Sequence, residues 1–218
     1  MTKALHTVVL VGLLLFGRAS PAAEPVILVL GDSLSAAYGI DVNAGWVALL
    51  QKRLTLEGYP HQVINASISG ETTGGAKRRL PELLRTHQPA LVVVELGAND
   101  GLRGIPLLEI RRNFQLMLND IIAAHAWTVV LRMRLPPNYG PDYTQGFDAI
   151  YSELADAPRH VTVAPFFLAH VALDPSLLQA DGLHPTAAAQ PAMLESVWPS
   201  VKPNLTESQA RLQSPGYQ

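Results

Sequence analysis

Five short apolar runs, at residues 26–30, 62–64, 91–96, 128–133 and 161–163, recur along this chain with helix-like segments between them. Three are continuously apolar or nearly so, the pattern of strands that helices cover on both faces. Between the first two runs, Trp46, Leu49, Leu50 and Leu54 repeat at helical spacing, and Gly58 offers a C-terminal stop. Pro81 suits the first position of a helix over 81–86. From 107 to 124, residues Leu107, Ile110, Phe114, Met117, Leu118, Ile121 and Ile122 make an apolar stripe, with Arg111, Arg112 and Asn113 off it. Segments 143–154 and 187–198 complete the helices. Strand and helix alternating in this way predict an α/β fold: a doubly wound, three-layer α/β/α domain on a parallel five-stranded sheet.

The 218 residues suit one domain, expected over 24–200. The first 23 residues read as a signal peptide. Lys3 is the positive start, 7–16 the apolar stretch, and Ala19-Ser-Pro-Ala-Ala23 the small residues for cleavage after Ala22 or Ala23. Arg18 leaves an uncleaved anchor as the alternative, although about ten apolar residues do not span a bilayer of roughly 30 Å. The mature chain is then periplasmic or secreted, with no transmembrane segment. Residues 201–218 are polar, contain two prolines and lack helical periodicity, so a loose tail is expected. A net charge of −2 with 16 % charged residues gives no footing for nucleic acid. The chain has no cysteine, which excludes disulfides, thiolate zinc sites and a cysteine nucleophile.

The first run ends in Gly31-Asp-Ser-Leu34. Ser33 therefore stands at the carboxyl rim of the sheet, where open α/β folds bind ligands. A serine hydroxyl needs a base within hydrogen-bond reach to become a nucleophile. Asp181-Gly-Leu-His184-Pro185 supplies an imidazole and a carboxylate: Nδ1–H on Asp181 would leave Nε2 of His184 to take the Ser33 proton. Asn99 follows the third run and offers a neutral donor for an oxyanion, and Gly70 permits close approach of a backbone N–H. Taken singly, each has a plainer reading: Gly-Asp-Ser and Asp-Gly-Leu-His-Pro as turns, Gly70 as a turn glycine, Asn99 as a helix cap. Asp32 reads as a structural partner of its turn. The remaining six of the seven histidines sit in the leader or in polar and helix-end contexts. No histidine pair has metal-ligand spacing, and phosphate-loop and dinucleotide fingerprints are missing.

Together the four blocks resemble those of the SGNH (GDSL) hydrolases: Ser33, Gly70, Asn99 and His184, with Gly-Ala-Asn-Asp at 97–100 and Asp-Gly-Leu-His at 181–184. The likeness is nearest to the secreted bacterial thioesterase I, lysophospholipase and arylesterase subgroup. It spans about residues 25 to 200, including Arg-Leu-Pro-Pro-Asn-Tyr-Gly at 134–140. Ala37 departs from it, standing where close relatives often have glycine; Ala98 fills a variable position. The resemblance implies a flavodoxin-like sheet and hydrolysis of acyl esters and thioesters with no cofactor and no metal. Ser33 would be the nucleophile, His184 the base and then the acid, and Asp181 its orienting partner. The oxyanion hole would comprise Ser33 N–H, Gly70 N–H and the Asn99 side chain. An acyl-binding loop would cover Gly101, Leu102, Arg103, Gly104, Ile105, Pro106 and Leu107. The expected partner is a small acyl ester or thioester, with lysophospholipid among the candidates, acted on by a monomer. A carbohydrate deacetylase on the same scaffold and a silent envelope-binding protein are the alternatives.

Overall fold

In the computed structural model, residues 24–156 and 160–212 are described; the expected leader and residues 213–218 lie outside them. The apolar runs become five strands: β1 (Val26–Gly31), β2 (Gln62–Asn65), β3 (Leu91–Glu95), β4 (Trp127–Arg132) and β5 (Val161–Phe166). All pair in parallel in the order β2-β1-β3-β4-β5. Ile27, Leu28, Val29 and Leu30 are fully shut off from solvent, as are Leu91, Val92 and Val93, which is why both runs carry apolar side chains on successive residues. Pro165, lacking an N–H, is accommodated because β5 is an edge strand.

The helices are α1 (Trp46–Leu56), α2 (Thr73–His87), α3 (Ala98–Leu102), α4 (Leu107–Ala123), α5 (Pro141–Ala155) and α6 (Gln190–Leu212). The crossovers place α1 with α6 on one face, and α2, α4 and α5 side by side on the other, as expected for right-handed βαβ units. The chain leaves β1 toward the first face and β3 toward the second. A crevice therefore opens between the carboxyl ends of these neighbouring strands, where Gly31 pairs with Glu95. Phe114, Phe147 and Tyr151 pack edge to face beneath it.

Two helices differ from expectation. α2 begins at Thr73, not Pro81, because the Thr72 hydroxyl accepts from Gly75 N–H at 3.2 Å and caps the end. Pro81 lies inside the helix at a cost of roughly 3 kcal/mol. Buried Leu80 and Leu84, at about 1.5–3 kcal/mol each, offset it. Of the tail expected over 201–218, residues 201–212 are likewise not loose but helical. α6 continues through Pro199 and Pro203 because Val197, Val201 and Leu205, one helical turn apart, are completely buried. The folded domain thus extends past residue 200. Asn113 is also buried on α4, its amide donating to Thr73 Oγ1 at 3.1 Å and its oxygen accepting from Lys77 Nζ at 2.6 Å. His61 sits in the interior rather than in a polar context, and burial lowers its basicity. Among the described residues, no helix is long and apolar enough to cross a membrane.

Candidate active site

Ser33 follows β1 in a turn closed by its neighbours: Asp32 Oδ1 accepts from Leu34 N–H at 3.0 Å, and Asn65 Nδ2 donates to Ser35 C=O at 2.8 Å. Ser33 Oγ lies 3.0 Å from His184 Nε2, and His184 Nδ1 lies 2.7 Å from Asp181 Oδ2. Asp181 Oδ1 accepts from Leu183 N–H at 2.9 Å and His184 N–H at 3.0 Å. These bonds hold the Asp181 carboxyl down at about 2, the backbone N–H of His184 contributing most and its ring next. An ionised Asp181 requires the proton of a neutral His184 on Nδ1, so Nε2 turns a lone pair toward Ser33.

The loop carrying this pair has few attachments. Gln179 N–H donates to His184 C=O at 2.7 Å, and Thr186 N–H to Leu177 C=O at 2.8 Å. The Gln179 amide reaches both Pro185 C=O, at 2.9 Å, and Tyr38 C=O, at 2.8 Å, joining the loop to the turn after Ser33. The Tyr38 ring lies against the His184 imidazole, centroids 4.5 Å apart.

Asn99 sits in the first turn of α3, and its Nδ2 donates to Asp32 Oδ2 at 2.8 Å, leaving a second N–H. Gly97, just before it, has φ +106°, and a Cβ there would come 2.4 Å from the Tyr151 hydroxyl. Asp100 anchors the same helix by accepting from Thr73 N–H at 2.9 Å and from the Thr73 hydroxyl; burial raises its carboxyl. Gly70 stands opposite with φ +78°, a conformation that favours glycine. Its C=O is gripped by Arg103 Nη2 at 2.9 Å. Beneath Ser33, Glu95 Oε2 accepts from Asp32 N–H at 3.2 Å and Ser35 Oγ at 2.8 Å.

Ser33, Gly70, Asn99 and His184 border one cavity of about 670 Å³. Its walls are mainly apolar, from Leu102, Met133, Leu135, Phe166, Leu168 and Leu178. Of the segment expected to bind acyl groups, only Leu102 lines it. Gly101 lies against Leu135; Ile105 and Leu107 pack on the core, so their side chains begin the buried stripe of α4 instead. Pro106 caps α4, Gly104 turns with φ +67°, and Arg103 serves Gly70. The segment is also tied down, with Tyr139 donating to Leu102 C=O at 3.0 Å and Tyr143 to Ile105 C=O at 2.6 Å. No group of three or more His, Asp or Glu among the described residues is arranged to hold a metal ion.

Sequence reasoning missed Tyr38, Gln179, Glu95 and most of the cavity wall. Only Glu95 carried a signal, as the sole acid in an otherwise apolar strand.

Sheet order and site position define a class: a doubly wound α/β protein with serine, histidine and aspartate linked at its switch point. The chain belongs to the GDSL-like lipase/acylhydrolase family, whose pattern matches residues 29–191, and it is a hydrolase of that family. It is 50 % identical over 184 residues to esterase TesA of Pseudomonas aeruginosa, covering 84 % of this chain and 91 % of that one. An arylesterase of Vibrio mimicus is 47 % identical over 191 residues, covering 86 % and 94 %. Thioesterase 1/protease 1/lysophospholipase L1 of Escherichia coli is 42 % identical over 182 residues, covering 84 % and 86 %. Among solved structures, TesA matches with a TM-score of 0.79 and 50 % identity, over 82 % of this chain and 99 % of that one. The psychrotrophic esterase EstA of Pseudoalteromonas, inhibited by monoethylphosphonate, matches at 0.78 and 43 % identity, over 83 % and 98 %.

Proposed function

We propose that this protein is a serine esterase and thioesterase that hydrolyses acyl substrates through a covalent acyl-enzyme on Ser33. The observation that carries the reading is the unbroken chain of contacts from Asp181 through His184 to Ser33, ending on an apolar cavity. His184 Nε2 takes the Ser33 proton as Oγ attacks the acyl carbonyl, and Asp181 stabilises the imidazolium that forms. The imidazolium then protonates the leaving alcohol or thiol. A water molecule, deprotonated by His184 in turn, releases the acid. Ser33 N–H, Gly70 N–H and the second Asn99 N–H serve the oxyanion, each such donor contributing about 2.7–4 kcal/mol.

The apolar walls favour an aliphatic acyl chain over a sugar, since each buried methylene adds about 0.8 kcal/mol. Leu173, on the same wall, is 93 % exposed and extends this apolar surface outward. Medium and long acyl esters, acyl thioesters and lysophospholipids fit that shape, as do the activities in the relatives' names. Every site residue comes from one chain, so a monomer suffices. The leader directs the enzyme to the periplasm or beyond it.

A fluorophosphonate probe tests this reading. It should attach one equivalent to wild type at the peptide containing Ser33 and none to Ser33→Ala. Labelling at another residue would overturn the assignment.

A further inference from the structure

Below the reacting groups lies a pair of acids that the mechanism above does not use. Glu95 closes β3 directly opposite Gly31 of β1, and both it and Asp32 are buried. Oε2 of Glu95 accepts from Asp32 N–H and Ser35 Oγ, while its buried Oε1 receives no donor. The Asp32 carboxylate accepts from Leu34 N–H and Asn99 Nδ2. Both carboxyls are thus held side by side and out of water, and Glu95 Oε1, which no N–H or O–H reaches, is the oxygen left to carry a proton. Gly31 makes room for this arrangement: a Cβ there would come 2.6 Å from Ser35 Oγ and 2.9 Å from Glu95 Oε2.

We propose that Glu95 is a positioning residue for the reaction: as a neutral carboxylic acid it donates to Asp32, and Asp32 in turn aims the Asn99 amide and the Ser33 turn. The inference rests on the reading of Ser33 and Asn99 given above.

Charge dictates which state the pair adopts. Among the described residues, no lysine or arginine bonds to either carboxyl. The other titratable groups of the cluster, Asp100 on α3 and Tyr151 on α5, supply no positive charge when neutral or ionised. Two neighbouring anions out of water repel too strongly to persist, so one proton is kept. Burial, then the charge of Asp32, pushes the Glu95 carboxyl well above its ordinary 4.5; burial also raises Asp32, which His184 partly opposes. Glu95 therefore holds the proton and Asp32 the charge. Only one negative charge then lies near the developing oxyanion, and it is engaged by Leu34 N–H and Asn99.

Glu95→Gln and Glu95→Leu separate this role from simple packing. Gln retains a donor for Asp32 and an acceptor for Asp32 N–H and Ser35, so kcat should stay within about threefold of wild type. Leu removes both, and kcat should fall about ten- to a hundredfold with KM little changed, since the Asn99 bond strengthens only as charge develops. Full kcat in folded Glu95→Leu, or equal losses in both variants, would overturn the proposal. If Glu95→Leu does not fold, Gly31→Ala supplies that arm by displacing the Glu95 carboxyl and the Ser35 side chain, and unchanged kcat would overturn it equally.

The pair itself can be read without activity. Infrared spectra at neutral pH should contain a protonated-carboxyl band that disappears in Glu95→Gln; no such band means that Glu95 is ionised and the proposal is wrong. Folded Glu95 keeps its proton where the unfolded residue loses it, so wild-type stability must fall, relative to Glu95→Gln, as pH rises above about 4.5. A Tm difference that does not grow with pH contradicts the assignment. If Asn99→Ala leaves kcat intact while the band and the Tm trend appear, the oxyanion reading fails and the acid pair stands.

Discussion

Ser33 and Asn99 stand just beyond the ends of β1 and β3, strands that are almost wholly buried. Asp181 and His184 instead ride a loop outside the sheet, and the Asp181 side chain is 43 % exposed. Beneath the first pair lie Asp32, Glu95, Asp100 and Thr73, each at most 1 % exposed and tied to its neighbours. The second pair depends on Gln179, Tyr38 and a short bridge between Leu178 and Pro185. The proposed nucleophile and Asn99 are thus positioned by the core, which moves only with the fold. The proposed base is positioned by a handful of surface hydrogen bonds, which can fail while the fold persists.

Short of the Ser33–His184 pair itself, disturbing the core side at the chemistry should have the largest effect. Asn99→Ala should lower kcat by roughly 10²–10³ with KM little changed, because its bond strengthens only as the oxyanion forms. Steady-state kinetics on a p-nitrophenyl ester checks this, and a change confined to KM would make Asn99 a substrate-binding group only. On the loop side, Gln179→Ala breaks two hydrogen bonds, each worth about 0.5–1.5 kcal/mol net. If they serve His184, kcat should fall about tenfold or somewhat more while Tm drops by only the few degrees that two such bonds supply. A large Tm loss with kcat preserved would mean that the loop belongs to the folding core.

The cavity wall gives a finer comparison. Leu102 faces the cavity whereas Ile105 packs on the core. Leu102→Ala should flatten the rise of kcat/KM with acyl length, where each buried methylene is worth about 0.8 kcal/mol, and should spare acetyl esters. Ile105→Ala should lower Tm and slow acetyl and decanoyl esters alike. Reversal of these two results would restore the 101–107 segment as the acyl site.

The smallest effect concerns pH. Asp181 is lowered from 3.8 to about 2 in the folded chain, so its ionised form favours folding above pH 3.8, and that contribution is lost as pH falls toward 2. The Tm values of wild type and Asp181→Asn should therefore converge over this window, as followed by circular dichroism. A constant difference would mean that the hydrogen bonds of Asp181 persist after protonation.

Much of this contrast was legible in the sequence, unevenly. Strands buried on both faces write their positions as unbroken apolar runs, and the turn residues around Ser33 and His184 mark where the chain leaves regular structure. The start of α2 is hidden because Gly74 and Gly75 are poor helix formers, although Gly75 is needed where Glu71 folds back over the helix. α6 ran past two prolines because Val201 and Leu205 found partners that no local pattern announces. The direction of Ile105 and Leu107 was equally undecided, since apolar residues after a glycine serve a core or a ligand alike. Ala37, the departure from the family pattern, adopts φ +58° beside Gly45, a conformation that the sequence itself did not disclose.

The central claim, that Ser33 and His184 act as one unit though one belongs to the core and the other to the loop, is tested most directly by kcat for Ser33→Ala, His184→Ala and the double variant. Each single change should reduce kcat by at least about 10⁴, and the double variant should be little worse than either. Losses that multiply in the double variant, or a Ser33→Ala enzyme retaining more than about a hundredth of wild-type kcat, would contradict it.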